Sequence, residues 1–173
     1  MRLPFLKDKP DEVAGVMFAN VVGFVDNFSL HGVEEEHQLI FPEVYILGHW
    51  LQVVCILAAG GGATNRVMKI LESYTAQVLP RSLQWFIKSN QLDEASFEPF
   101  QVYVSKHARQ RREQYDAALR SDGGMLAVAD IAVHRIFASP ITHGTIAQGG
   151  AEALGSYLEI LVLDCVSRLE KMV

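Results

Sequence analysis

Apolar residues recur along this chain at intervals of three and four with almost no strict alternation, a period that predicts helices throughout. Pro10, Asp11 and Glu12 suit the positive end of a helix dipole, and a helix is expected from there to about Ser29. Val13, Met17, Phe24 and Phe28 form its stripe. Val16, Phe18, Val21, Val22 and Val25 cover much of the remainder, as on a central or interface helix. Gly15, Ala19 and Gly23 leave a strip with almost no side chain, along which another helix can approach closely. His31-Gly32 reads as the stop. Pro42 then either follows a short acidic helix or occupies the first turn of a new one reaching Ala59.

Leu51–Leu79 decides the fold class. A Val-, Ile- and Leu-rich run, Gly60-Gly61-Gly62 and a following helix could be a strand, a phosphate loop and a helix. The dinucleotide fingerprint nevertheless needs a third glycine where Asn65 stands, and a P-loop needs a Gly-Lys-Ser/Thr triplet that is absent. No further β-runs alternate with helices, as a doubly wound sheet requires. The stretch therefore reads as two helices joined through a glycine break, an assignment that a strand at Val53–Leu57 would overturn. Thr64 is placed to cap the second helix, which carries the stripe Val67, Ile70, Leu71, Tyr74 and Val78.

Pro80 stops or kinks that helix, and Arg81–Ser89 forms a short one. Ser96 is placed to cap a helix with Pro99 in its first turn, continuing to Arg120. Its first half shares an apolar face of Phe97, Phe100, Val104 and Ala108. Its second half, Lys106–Asp116, is almost wholly polar and is expected to project from the core or line a wet surface. Met125–Ala138 is a short apolar helix. A loop follows, Gly149-Gly150 reads as a second break, and Ala151 to about Met172 closes the chain. The expectation is an all-α, single-domain bundle of six or seven helices, with a break at Gly60–Gly62.

Composition narrows the function classes. At 173 residues the chain can bury a full core. Its 50% apolar content and mean hydropathy of +0.15 fit a well-filled core or an oligomeric face. A net charge of −5 opposes nucleic-acid binding. The N-terminus has no apolar run of signal-peptide length, and Val44–Ala59 is shorter than the ~20 residues of a membrane span. Cys55 and Cys165 lack metal-type spacing and read as buried free thiols in a reducing compartment. A cytoplasmic protein with no cofactor or metal, no nucleic-acid partner and no membrane partner is expected.

Five arrangements carry candidate chemistry. Glu34-x-x-His37 has the spacing of a di-iron ligand pair, but such a site needs a second copy and two further glutamates. Asp130 and His134, four apart, can meet on one helical face as a carboxylate orienting an imidazole. Asp164 lies in an apolar run, with Arg168 one turn on to neutralise it. Lys106–Arg112 is the one basic cluster, with Arg109 positioned to pair with Glu113 and Arg112 with Asp116. His49, Trp50 and Gln52 can line a small-ligand pocket between helices.

Two functions are expected from these patterns. The first is a non-enzymatic regulator, adaptor or inhibitor that acts by protein–protein contact. It would self-associate and meet an acidic partner through Arg109, Arg111, Arg112 and Tyr115. The alternative is a small-molecule-binding bundle or metal-assisted hydrolase, with Asp130, His134, His143 and Asp164 around an internal site.

Overall fold

The computed structural model describes residues 10–28, 41–89, 94–136 and 145–172. Among them the fold is all-α, with no strand. The helices are α1 (Pro10–Phe28), α2 (Phe41–Ala59), α3 (Asn65–Ser73), α4 (Leu79–Ser89), α5 (Glu94–Leu119), α6 (Gly124–Ile136) and α7 (Thr145–Leu169). Val53–Leu57 lies wholly inside α2, so the helical reading of the glycine stretch holds.

The glycine break forms because it demands backbone that only glycine adopts easily. Gly61 and Gly62 have φ of 66° and 107°, in the left-handed region that costs other residues ~1–2 kcal/mol. Thr64 then caps α3, its hydroxyl accepting the Val67 N–H at 3.3 Å. Between α3 and α4 the chain does not stop at Pro80. A π turn at Tyr74–Val78 joins them into one rod, with the Leu79 N–H reaching back to the Tyr74 carbonyl. Widening that turn moves aside the carbonyl against which the proline ring would clash, and the rod continues.

Another break read from sequence is also absorbed. Gly149-Gly150 lies within α7, which begins at Thr145. Packing against α6 outweighs the ~1 kcal/mol that each glycine costs, and Gly155 lies so close to α6 that a Cβ there would come within 3.3 Å of Leu126 Cα. Likewise α5 begins at Glu94, so Ser96 is not its cap and Pro99 falls inside the helix. Among the described residues, no helix packs closely over the Gly15 and Gly23 positions of the Gly15/Ala19/Gly23 strip, where an added Cβ would meet nothing within 4 Å. On α1 it is Val13, Ala14, Met17 and Val21 that are buried.

The core has two lobes. One joins α2, α5, α6 and α7 around Leu47, Trp50, Tyr115, Val128 and Leu158. The other joins α1, α2, α3, the π turn and α7 around Met17, Ile56, Tyr74, Cys165 and Leu169. Helices α2 and α7 contribute their first halves to one lobe and their second halves to the other, so they run side by side through the whole molecule. Pro42–Ala59 is the one described helix long and apolar enough to cross a membrane by length and composition. In this fold it is the central helix, with 61% of its residues buried and contacts to α1, α3, α5, α6 and α7.

Candidate functional site

The polar half of α5 does not project from the core. Its inward seam continues from Phe100 through Arg111, Tyr115 and Ala118, all buried. Arg111 is admitted because Glu43, fully buried near the start of α2, takes its Nε at 2.9 and 3.1 Å. Tyr103 donates its hydroxyl to the same carboxylate at 2.6 Å. One helical turn on from Arg111, the Tyr115 ring packs 5.3 Å from that of Trp50. Trp50 in turn donates its indole N–H to Asp116 Oδ1 at 2.8 Å. Together these contacts pin α2 to α5 along two turns.

Beside the pins, α2, α4 and α5 line an open-sided cavity of about 520 Å³. Tyr45, Ile46, His49 and Trp50 of α2 supply one wall, and Leu79 and Leu83 of the α3–α4 rod a second. The third wall is α5, where Phe100, Val104, Ala108 and Arg112 face the cavity at steps of four. Apolar surface dominates, and Tyr45 and Phe100 meet edge to face at 5.6 Å. Burial pushes the Tyr45 hydroxyl up to about 12, so it stays protonated, and it donates to the Leu79 carbonyl at 3.4 Å. The volume falls in the roughly 300–1,000 Å³ range of small-molecule sites.

The polar end of the cavity is the pair His49 and Arg112, with Arg112 Nη2 3.5 Å from His49 Nδ1. Burial and the neighbouring guanidinium lower the imidazole from 6.5 to about 4, which keeps it neutral near pH 7. His49 Nε2 is shut off from solvent and has no hydrogen-bond partner among the described residues, and the same holds for the Tyr74 hydroxyl. Their rings stand 5.4 Å apart, so unused hydrogen-bonding capacity lies directly behind the cavity wall.

The residues expected to form an exposed interaction surface are divided. Arg109 and Arg112 are exposed, whereas Arg111 and Tyr115 are buried for the reasons above. Arg109 pairs with Glu113 at 3.0 Å as its spacing predicted. Arg112 does not pair with Asp116, because each has a partner on α2 instead. The alternative internal site is not formed by its described members. Asp130 and His134 are 3.8 Å apart on an exposed face of α6. Asp164 sits at the surface, paired with Arg168 at 2.7 Å. His143 and Glu34-x-x-His37 lie outside the described residues.

In the second lobe Cys55 of α2 faces Cys165 of α7, both thiols free and buried. Their mutual hydrogen bond, followed by burial, pushes the Cys55 thiol far up. Asn20 also donates to Cys165 Sγ at 3.4 Å. Comparison with protein-family models, curated proteins and solved structures finds no match to this chain.

Proposed function

We propose that the protein is a small-molecule-binding helical bundle, a carrier or sensor whose ligand occupies the cavity between α2, α4 and α5. The observation that carries this reading is the cavity itself: about 520 Å³, largely apolar, with a few polar groups along α5 and the His49–Arg112 pair at one end. That combination is what retains and orients a small molecule. The polar pins between α2 and α5 also support it, since they hold two of the three walls at a fixed spacing.

A thermal-shift screen of small amphiphiles tests the proposal, because a ligand that binds only the folded state raises the melting temperature by mass action. Ala108→Trp, which fills the cavity from α5, is expected to abolish the shifts while the far-ultraviolet circular dichroism stays helical. Shifts of the same size in the filled variant would refute it.

A second reading, self-association through α7, is supported by Ile160 and Leu163. They share one face of the helix and are 64% and 71% exposed. Sedimentation of the wild type and of Leu163→Glu tests it, and a concentration-independent monomer in both would end it.

A further inference from the structure

We propose that the cavity takes a monoanionic amphiphile, a carboxylate head on an apolar or aromatic body, with the head bound by Arg112 beside His49. This rests on the cavity being a ligand site and adds what the ligand must carry. Charge is placed at one end of the α5 wall: Phe100, Val104 and Ala108 step along it with the uncharged Gln101 and Ser105 beside them, and Arg112, one turn further, ends it with a cation. At ~1.5 Å per residue, Phe100 and Arg112 are separated by ~18 Å along the helix axis, so an elongated body and its head meet different chemistry.

Charge completes the case. Among the described residues no aspartate or glutamate lines the cavity. Of the three arginines on this stretch of α5, Arg109 is answered by Glu113 and Arg111 by Glu43. Arg112 has no carboxylate within 4 Å among the described residues, and its recorded contact is the neutral His49 ring. Asp116, the acid at the right spacing to neutralise it, accepts from Trp50. The planar guanidinium fork matches a carboxylate through two parallel N–H···O bonds. A single cation beside a neutral imidazole suits one negative charge, whereas a dianion or polyphosphate would leave charge unanswered. His49 stands beside the guanidinium at the same cavity end, its Nδ1 3.5 Å from Arg112 Nη2.

The test compares pairs matched in body and different in head: decanoate with decan-1-ol, and 2-naphthoate with 2-naphthol, all below micelle concentrations. Calorimetric titration is run on the full chain as wild type, Arg112→Gln, Arg112→Lys and Ala108→Trp, each checked for helicity and cooperative melting. The expected result is that at least one acid binds about tenfold or more tightly than its alcohol. Arg112→Gln then brings that acid down to the level of the alcohol, leaves the alcohol unchanged, and Arg112→Lys restores part of the difference. Equal affinity for acid and alcohol, unaltered by Arg112→Gln but lost in Ala108→Trp, overturns the head-group assignment and leaves the cavity reading standing. If no probe binds, or if binding persists in Ala108→Trp, the cavity reading falls and this inference with it.

Discussion

Removing one partner of the Glu43–Arg111 pair is expected to destabilise the fold more than any other single polar substitution described here. The Glu43 side chain has no exposure and that of Arg111 has 6%. At a charge separation of ~4 Å and an effective dielectric of ~20, their attraction is ~4 kcal/mol. In Arg111→Met the carboxylate keeps only the Tyr103 hydroxyl as a recorded partner while remaining out of water. The cost of leaving such a charge unpaired is ~3–5 kcal/mol. For a domain of this size each kcal/mol lowers the melting temperature by ~2–4 °C, so a fall of ~8–16 °C is expected for a 4 kcal/mol loss. Glu43→Leu strands the guanidinium and should cost about as much. The triple variant Glu43→Leu, Arg111→Met, Tyr103→Phe removes every charged or hydroxyl group of the cluster and should return to within ~1 kcal/mol of wild type, or exceed it. Urea unfolding of the four proteins measures this. Single substitutions each costing under ~1 kcal/mol, or costs that simply add in the multiple variant, would refute the claim that these groups form one desolvated unit.

Three further outcomes follow from the geometry. Between pH 6.5 and about 4 the unfolded chain takes up a proton that folded His49 refuses, shut in by burial and facing Arg112 on α5 and Tyr74 in the π turn. Stability should therefore fall as pH is lowered through that window, by up to ~1.4 kcal/mol per pH unit, and level off below it. His49→Gln should remove that component, and an unchanged slope would count against the buried neutral imidazole. Gly15→Ala should stabilise by up to ~1 kcal/mol, since it is exposed within a helix and a Cβ there meets open space. Gly60→Ala should destabilise, since its Cβ would overlap Val67 Cγ2, and chemical denaturation of both variants checks the contrast. Finally, Cys55 and Cys165 should react with a thiol-specific chromogenic disulfide only as the protein unfolds; rapid native-state titration of both would contradict their burial.

Features set by neighbours in sequence were legible in advance. The Thr64 cap, the helical nature of Val53–Leu57 and the pairs Arg109–Glu113 and Asp164–Arg168 all depend on residues within one turn of each other. What escaped the sequence depends on distant partners. Arg111 reads as a solvated residue in a polar run until Glu43, 68 positions away, is brought against it. Arg112 and Asp116 have suitable spacing for each other, yet both are captured by α2 residues more than 60 positions away. Gly149-Gly150 reads as a stop because glycine is locally unfavourable in a helix, and only the packing of α7 on α6 reverses that. His49 and Trp50 were recognisable as pocket-lining candidates, and the face of Phe100, Val104 and Ala108 was visible in the period. The gap between α4 and α5 that turns these faces into a cavity is a property of the assembled fold.

The glycine corner at Gly60–Gly62 has a mechanical consequence for that cavity. Val67 fills the space where a Gly60 side chain would sit, so the start of α3 is locked against the end of α2, while the ion pair and the indole contact lock α5 to α2. Two walls thus behave as a fixed frame. The third, α4, follows the π turn, rests on α1 and faces α5 across the cavity, with its first residue, Leu79, accepting from Tyr45 of α2. On the proposed reading, the frame that carries Arg112 and His49 would keep its dimensions whatever apolar body fills the cavity.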